Sequence, residues 1–305
     1  MSSNPLLRDQ PLPAFEDIRA EHVGPAIRSL LELNRARIRE IENLAEPSFA
    51  TVVEPMEDLQ HCLTRAWSPV GHLNGVMNSE ALREQYNACL PLLSEYGTDI
   101  GQSESLYQAY ENVRLNESPR LDPVQREVLA QALRNFRLAG VGLPEAQKAR
   151  FKEVMLELAR LQSKFEENVL DATNDFRLAV ADATQLDGIN ATIVEQASAR
   201  AAEAKQEGWL FTLDQPTYVA IVTDGKSGEL RRKFYEAWTT RASDQGPSAN
   251  RFDNSQVMQE ILRLRHEAGR LLDFPSYAEY ALATRMAKST TEVLEFLRNL
   301  ARAAR

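Results

Sequence analysis

The residues that come nearest to a catalytic constellation are His266 and Glu267, in the run His266-Glu267-Ala268-Gly269-Arg270. Two His one turn apart on a helix aim both imidazoles at a single metal ion. A Glu beside the first then serves as general base for the metal-bound water. In this chain the place of the second His is held by Arg270, a permanent cation with no lone pair to give. The competing reading is an ion-paired helix face, with Arg263 and Glu267 at i, i+4 and Glu267 and Arg270 at i, i+3. The missing ligand decides for the helix face.

Other lookalikes fare no better. Gly225-Lys226-Ser227 resembles the end of a phosphate-binding loop, but Ala220 stands where that loop needs its first Gly. The residues before it read as helix rather than strand, so Asp224-Gly225 is expected to be a turn and Ser227 an N-cap. His22, His61 and His72 are far apart, with no second His or Cys at metal spacing. No catalytic or metal-binding residue is therefore assigned. Arg241, Asp244 and Gln245 form a polar knot in a loop between two apolar helices, placed to line a cleft or to brace the loop.

The elements around these residues read as helix after helix. Leu230, Phe234 and Trp238 recur at i, i+4 and i+8, and Asp244-Gln245-Gly246-Pro247 ends that helix. Val257, Ile261, Leu264, Ala268 and Leu271 mark the seam of the next. Upstream, helices are predicted over 21–41, 53–73 with a kink or boundary at Pro69, 80–96 bent at Pro91, and 103–114. Asp122 followed by Pro123 opens another, running to Leu138. The run from Pro144 to Asn174 is long enough for one helix of ~46 Å, either a core-spanning element or a coiled-coil arm.

Phe176, Leu178 and Val180 alternate with polar or small residues, as do Trp209, Phe211 and Leu213. A short two-stranded ribbon around 175–181 and 208–214 is expected, with a helix over 192–207 between its strands. Ser289 opens a last helix whose Val293, Leu297, Leu300 and Ala304 are expected to face inward. No stop signal follows it, which suggests that the chain is cut. The fold class predicted is all-α, with this one ribbon.

Several long motifs together carry a resemblance. They are RASDQGPSANRFDNSQVMQEILRLRHEAGRLLDFPSYAEYALATRMA over 241–287, NPLL from Asn4, SPVGHLN from Ser68, LPLLSEY from Leu90, GVGLP from Gly140 and NVLDAT from Asn168. The chain resembles the thimet oligopeptidase-type zinc metallopeptidases over nearly its whole length, but only their N-terminal part. The resemblance implies an N-terminal helical lobe over 1–305, subdivided near 140–144, forming one wall of a channel that admits short unstructured peptides. It implies zinc in the full-length protein, on the opposite wall, where it activates a water whose proton a Glu takes. That family's H-E-x-x-H helix and its later Glu ligand have no counterpart here. One departure is Asp273, where family members usually carry Gly in a left-handed cap. The rival reading is a non-catalytic helical protein-interaction module derived from the same lobe.

Bulk properties are those of an ordinary folded globular protein. Hydrophobic residues make up 43% and charged residues 26%, which excludes global disorder. A net charge of −9 argues against nucleic acid and anionic membranes as partners. Cys62 and Cys89 make no disulfide framework, and the N-terminus has no basic-then-apolar leader. A cytoplasmic setting is expected.

Overall fold

A computed structural model describes residues 4–305. Twelve α-helices carry the chain among these residues: α1 Ala20–Glu42, α2 Glu54–Val76, α3 Glu80–Gly101, α4 Glu104–Glu117, α5 Pro123–Leu138 and α6 Glu145–Asp175. Then come α7 Ala191–Glu203, α8 Gln215–Asp224, α9 Gly228–Thr239, α10 Ser255–Leu271, α11 Tyr277–Leu282 and α12 Thr290–Ala303. The predicted ribbon is present as β1 Arg177–Val180 and β2 Trp209–Thr212. The two strands are antiparallel, with Arg177 opposite Thr212 and Val180 opposite Trp209. The fold is all-α in class.

Side-chain caps set most helix starts. Asp122 accepts from the backbone N–H groups of Val124 and Gln125, and the Gln125 side chain accepts from the Asp122 N–H. Ser79, Ser103, Ser227 and Ser289 cap α3, α4, α9 and α12 in the same N-terminal manner. The boundary suggested at Pro69 does not occur, because α2 runs through it to Val76. Ala66, Pro69 and Val70 are all buried there, and burial of that face offsets the hydrogen bond that proline cannot donate. Likewise α3 passes Pro91 and continues five residues beyond the expected end at Tyr96.

The chain divides into two compact units, one of residues through Arg160 together with Arg263–Arg305, the other of Leu161–Leu262. The segment 140–144 is a turn between α5 and α6 within the first unit, where Gly140 adopts φ 87°. In the first unit α1 is central. Val23, Ala26 and Ile27 are fully buried against residues such as Val53, Ala66, Val70 and Leu106. Asn34 is buried in the same core and donates to the Tyr96 hydroxyl at 3.0 Å.

The second unit is organised around the ribbon. Phe234 of α9 meets the rings of Phe176 and Phe211 edge-on, at 5.5 and 6.2 Å. A buried amide pair adds polar order: Asn168 donates to Asn254 at 2.8 Å, and Asn254 donates to the Phe165 carbonyl at 3.0 Å. These two Asn belong to two of the motifs quoted above.

Asp214 caps α8 and gathers hydrogen bonds from the Thr212 hydroxyl at 2.6 Å, the Thr217 hydroxyl at 2.9 Å and the Thr217 N–H at 3.0 Å. Burial pushes its carboxyl upward, but these hydrogen bonds outweigh it and hold the group below its ordinary value. A depressed carboxyl stabilises the fold above its unfolded pKa of about 4, and that stability is lost as pH falls through the folded value. Asp214→Ala is expected to cost about 1 kcal/mol at neutral pH. The difference from the parent should shrink as urea unfolding is repeated from pH 6 down to pH 3.

Asp273 adopts φ 62°, the left-handed cap that its family position suggested. The Phe274 N–H returns to the Gly269 carbonyl at 2.9 Å, closing the end of α10. Asp273→Gly should therefore stabilise the chain, by about 1 kcal/mol, read from the denaturation midpoint. At the other end of expectation stands α12. Its Leu297 and Leu300 were expected inward, yet each is 51% exposed, with Leu294 and Phe296 exposed as well. The described residues place no layer over that apolar face, so its periodicity shows amphipathicity without burial.

Candidate functional site

The run His266–Arg270 lies on α10, where His266 and Arg270 are exposed and Glu267 is half-buried. Glu267 receives a two-pronged grip from Arg150 of α6, Nε to Oε1 at 2.6 Å and Nη2 to Oε2 at 3.0 Å. Arg263, one turn earlier, adds a third bond at 3.1 Å, the i, i+4 pair expected from the sequence. The expected i, i+3 partner behaves differently, since Arg270 reaches the Phe274 carbonyl at 3.5 Å. Hydrogen bonds from Arg150 hold the Glu267 carboxyl below the usual carboxylate range. A carboxylate held ionised by two guanidinium groups is a poor proton acceptor at neutral pH. These residues do not fit a zinc ion: one lone-pair donor is replaced by a cation, and the carboxylate is already engaged. Among the described residues no group of three or more His, Cys, Asp or Glu is placed to hold a metal.

Gly225–Ser227 is a connector between α8 and α9. The Gly225 N–H closes α8 onto the Ile221 carbonyl, and the Ser227 hydroxyl accepts from the Leu230 N–H at 3.2 Å. A helix precedes it where a phosphate loop requires a strand. The His22 ring accepts from the Arg19 N–H at 3.0 Å and so caps α1. His61 and His72 line a surface cavity beneath the N-terminal arm.

The polar knot after α9 is built around a stacked guanidinium. Arg241 lies 3.5 Å from the centroid of Trp238, which itself stacks on Tyr218 at 4.3 Å. Its Nε donates to the Trp238 carbonyl and its Nη1 to the Thr173 hydroxyl, both at 3.1 Å. Partial burial pulls the Arg241 pKa downward. Asp244 and Gln245 are exposed, and the Gln245 N–H donates to the Ser243 hydroxyl at 3.2 Å. The loop thus holds Arg241 in place and leaves Asp244 and Gln245 at the surface.

One feature of the first unit was not legible in the sequence. A cleft of about 760 Å³ opens between α2, α3, α4 and α5, lined by Trp67, Tyr96, Tyr110 and Phe136. Its residues come from four helices, and only the packing of those helices brings the rings together. No helix is long and apolar enough to cross a membrane among the described residues.

Comparison with known proteins assigns the family. Residues 27–148 match the neurolysin/thimet oligopeptidase N-terminal domain, and residues 221–305 match peptidase family M3. Oligopeptidase A of Salmonella typhimurium is 42% identical over 99% of this chain and 45% of its own length. A probable cytosolic oligopeptidase A of Arabidopsis thaliana is 33% identical over 98% of this chain and 43% of its own length. Dipeptidyl carboxypeptidase of Escherichia coli is 31% identical over 99% of this chain and 45% of its own length. The chain thus spans less than half the length of these relatives. The matches at both ends and the continuous similarity between them mean that the chain belongs to peptidase family M3, a family of metallopeptidases, and corresponds to the N-terminal part of an oligopeptidase A.

Proposed function

We propose that this chain is the N-terminal, substrate-channel-forming region of a cytoplasmic zinc oligopeptidase that degrades short peptides, and that it carries no catalytic group of its own. The observation that carries the reading is the match of 99% of the chain to 45% of oligopeptidase A, combined with the incompatible donor set at His266–Arg270. In this reading zinc and its ligands belong to the remainder of the enzyme, and this region confines short unstructured peptides against it. Arg241, Asp244 and Gln245 are proposed to line the peptide cleft, with the Trp238 stack holding the guanidinium in a fixed orientation for a peptide carboxylate or carbonyl.

The exposed leucines of α12 form an uncovered apolar helix face of the kind that packs against another protein surface, which this reading assigns to the remainder of the enzyme. Sequencing the gene beyond the Arg305 codon tests the proposal. An open frame that continues into an H-E-x-x-H segment is the expected result. A stop codon directly after Arg305 would overturn it in favour of the module.

A further inference from the structure

The cleft between α2, α3, α4 and α5 is lined by one charged side chain, Glu57, beside its four aromatic rings. Glu57 makes no ion pair among the described residues, although the chain is rich in arginine. Gln60 and Gln131 also line the cleft, and each donates one amide N–H within its own helix, to Thr64 at 3.2 Å and to Glu127 at 2.9 Å. Their amide oxygens are left as acceptors. The indole of Trp67 is held by stacking on Tyr86 at 4.8 Å and 14°. Arg35 lies 5.5 Å from the Tyr96 ring, but its charge is matched by Asp99 at 3.1 Å. Burial and the Glu57 carboxylate both push the Tyr110 phenol upward, so it stays neutral. Tyr96, Tyr110 and Phe136 are almost fully buried, so the cleft offers the half-buried Trp67 ring, neutral acceptors and one exposed, unmatched carboxylate, in a volume typical of ligand sites.

We propose that this cleft binds the arginine side chain of a short peptide, with the guanidinium N–H groups donating to Glu57 and the amide oxygens and its flat face against an aromatic ring. Guanidinium suits such a site better than ammonium, because it is planar, weakly hydrated and matches a carboxylate with two parallel bonds. A cation over an aromatic face gains further when water is excluded. The choice of a peptide as carrier rests on the peptidase reading above. The site itself stands on the residues of this chain.

Titration calorimetry on the 305-residue chain tests the proposal, using an acetylated and amidated Ala-Arg-Ala peptide. The same peptide with citrulline, a neutral isostere, should bind at least about 10-fold more weakly, the scale of one charge-assisted pair. Glu57→Gln should weaken the arginine peptide about 10-fold. Glu54→Gln, in the same first turn but outside the cleft, should leave binding unchanged. Gly97 lines the cleft at a point where an added Cβ meets no atom within 4 Å, so Gly97→Met should block binding without disturbing the fold. Equal binding of the citrulline or the lysine peptide would overturn the assignment, as would equal losses in the Glu54 and Glu57 variants. The readout is binding to this chain alone, so it fails independently of the gene-sequence test.

Discussion

Phe234→Ala is expected to cost about 3–5 kcal/mol, the range for emptying a large aromatic site in a packed core. Phe234 is fully buried and touches Phe176 before β1 and Phe211 within β2. One side chain therefore ties α9 to β2 and to the residue that leads into β1, in a ribbon that would not hold together in water unaided. The loss should appear in urea or thermal unfolding of the second unit, read by near-ultraviolet signals of Trp209 and Trp238. Phe234→Leu keeps much of the volume and should cost less than half as much. If the alanine variant were no less stable than the leucine variant, the ring contacts would not be what organises this unit.

Gly208→Ala is the second large effect. Gly208 has φ 85°, a backbone region costly to any residue with a Cβ. An added Cβ would also sit 2.4 Å from the Val180 carbonyl oxygen, whose residue is fixed opposite Trp209 in the ribbon. The methyl cannot be accommodated without pulling the strands apart, and the expected cost is about 3 kcal/mol. Gly142, where an added Cβ meets nothing within 4 Å, is the matched control and should tolerate Ala with a change below about 1 kcal/mol. Equal midpoints for the two alanine variants would contradict the steric argument.

Local patterns carried most of the fold into the sequence. Asp122-Pro123 marks α5 to the residue, because cap and proline geometry are both local. The spacing of Phe151, Met155, Leu158 and Leu161 foretold α6, and the alternation of Phe176, Leu178 and Val180 foretold β1. Pro69 misled because its cost is local, whereas the burial of Ala66 and Val70 that offsets it is tertiary. The outward face of α12 could not be told from an inward one, since periodicity identifies a face and not its partner. The six-residue α11 is too short to show a period at all.

The candidate site divides in the same way. That His266–Arg270 lacks a ligand is visible from residue type alone, and so is the Arg263–Glu267 pair one turn apart. The stronger grip of Arg150 on Glu267 comes from a residue 117 positions away and has no local signal. The aromatic cleft is hidden for the same reason: Trp67, Tyr96, Tyr110 and Phe136 each read as ordinary core residues of separate helices. Even the positive φ of Ala242 beside Arg241 follows from loop closure, where the Asn254 N–H bonds the Ala242 carbonyl at 2.9 Å.

We propose that this polypeptide supplies a channel wall and none of the chemistry. The most direct test is to equilibrate the purified chain with zinc, remove the excess, and assay both bound metal and cleavage of a short unstructured peptide. No stoichiometric zinc and no hydrolysis above the buffer blank are expected. One tightly held zinc per chain, or peptide cleavage abolished by a chelator, would contradict it.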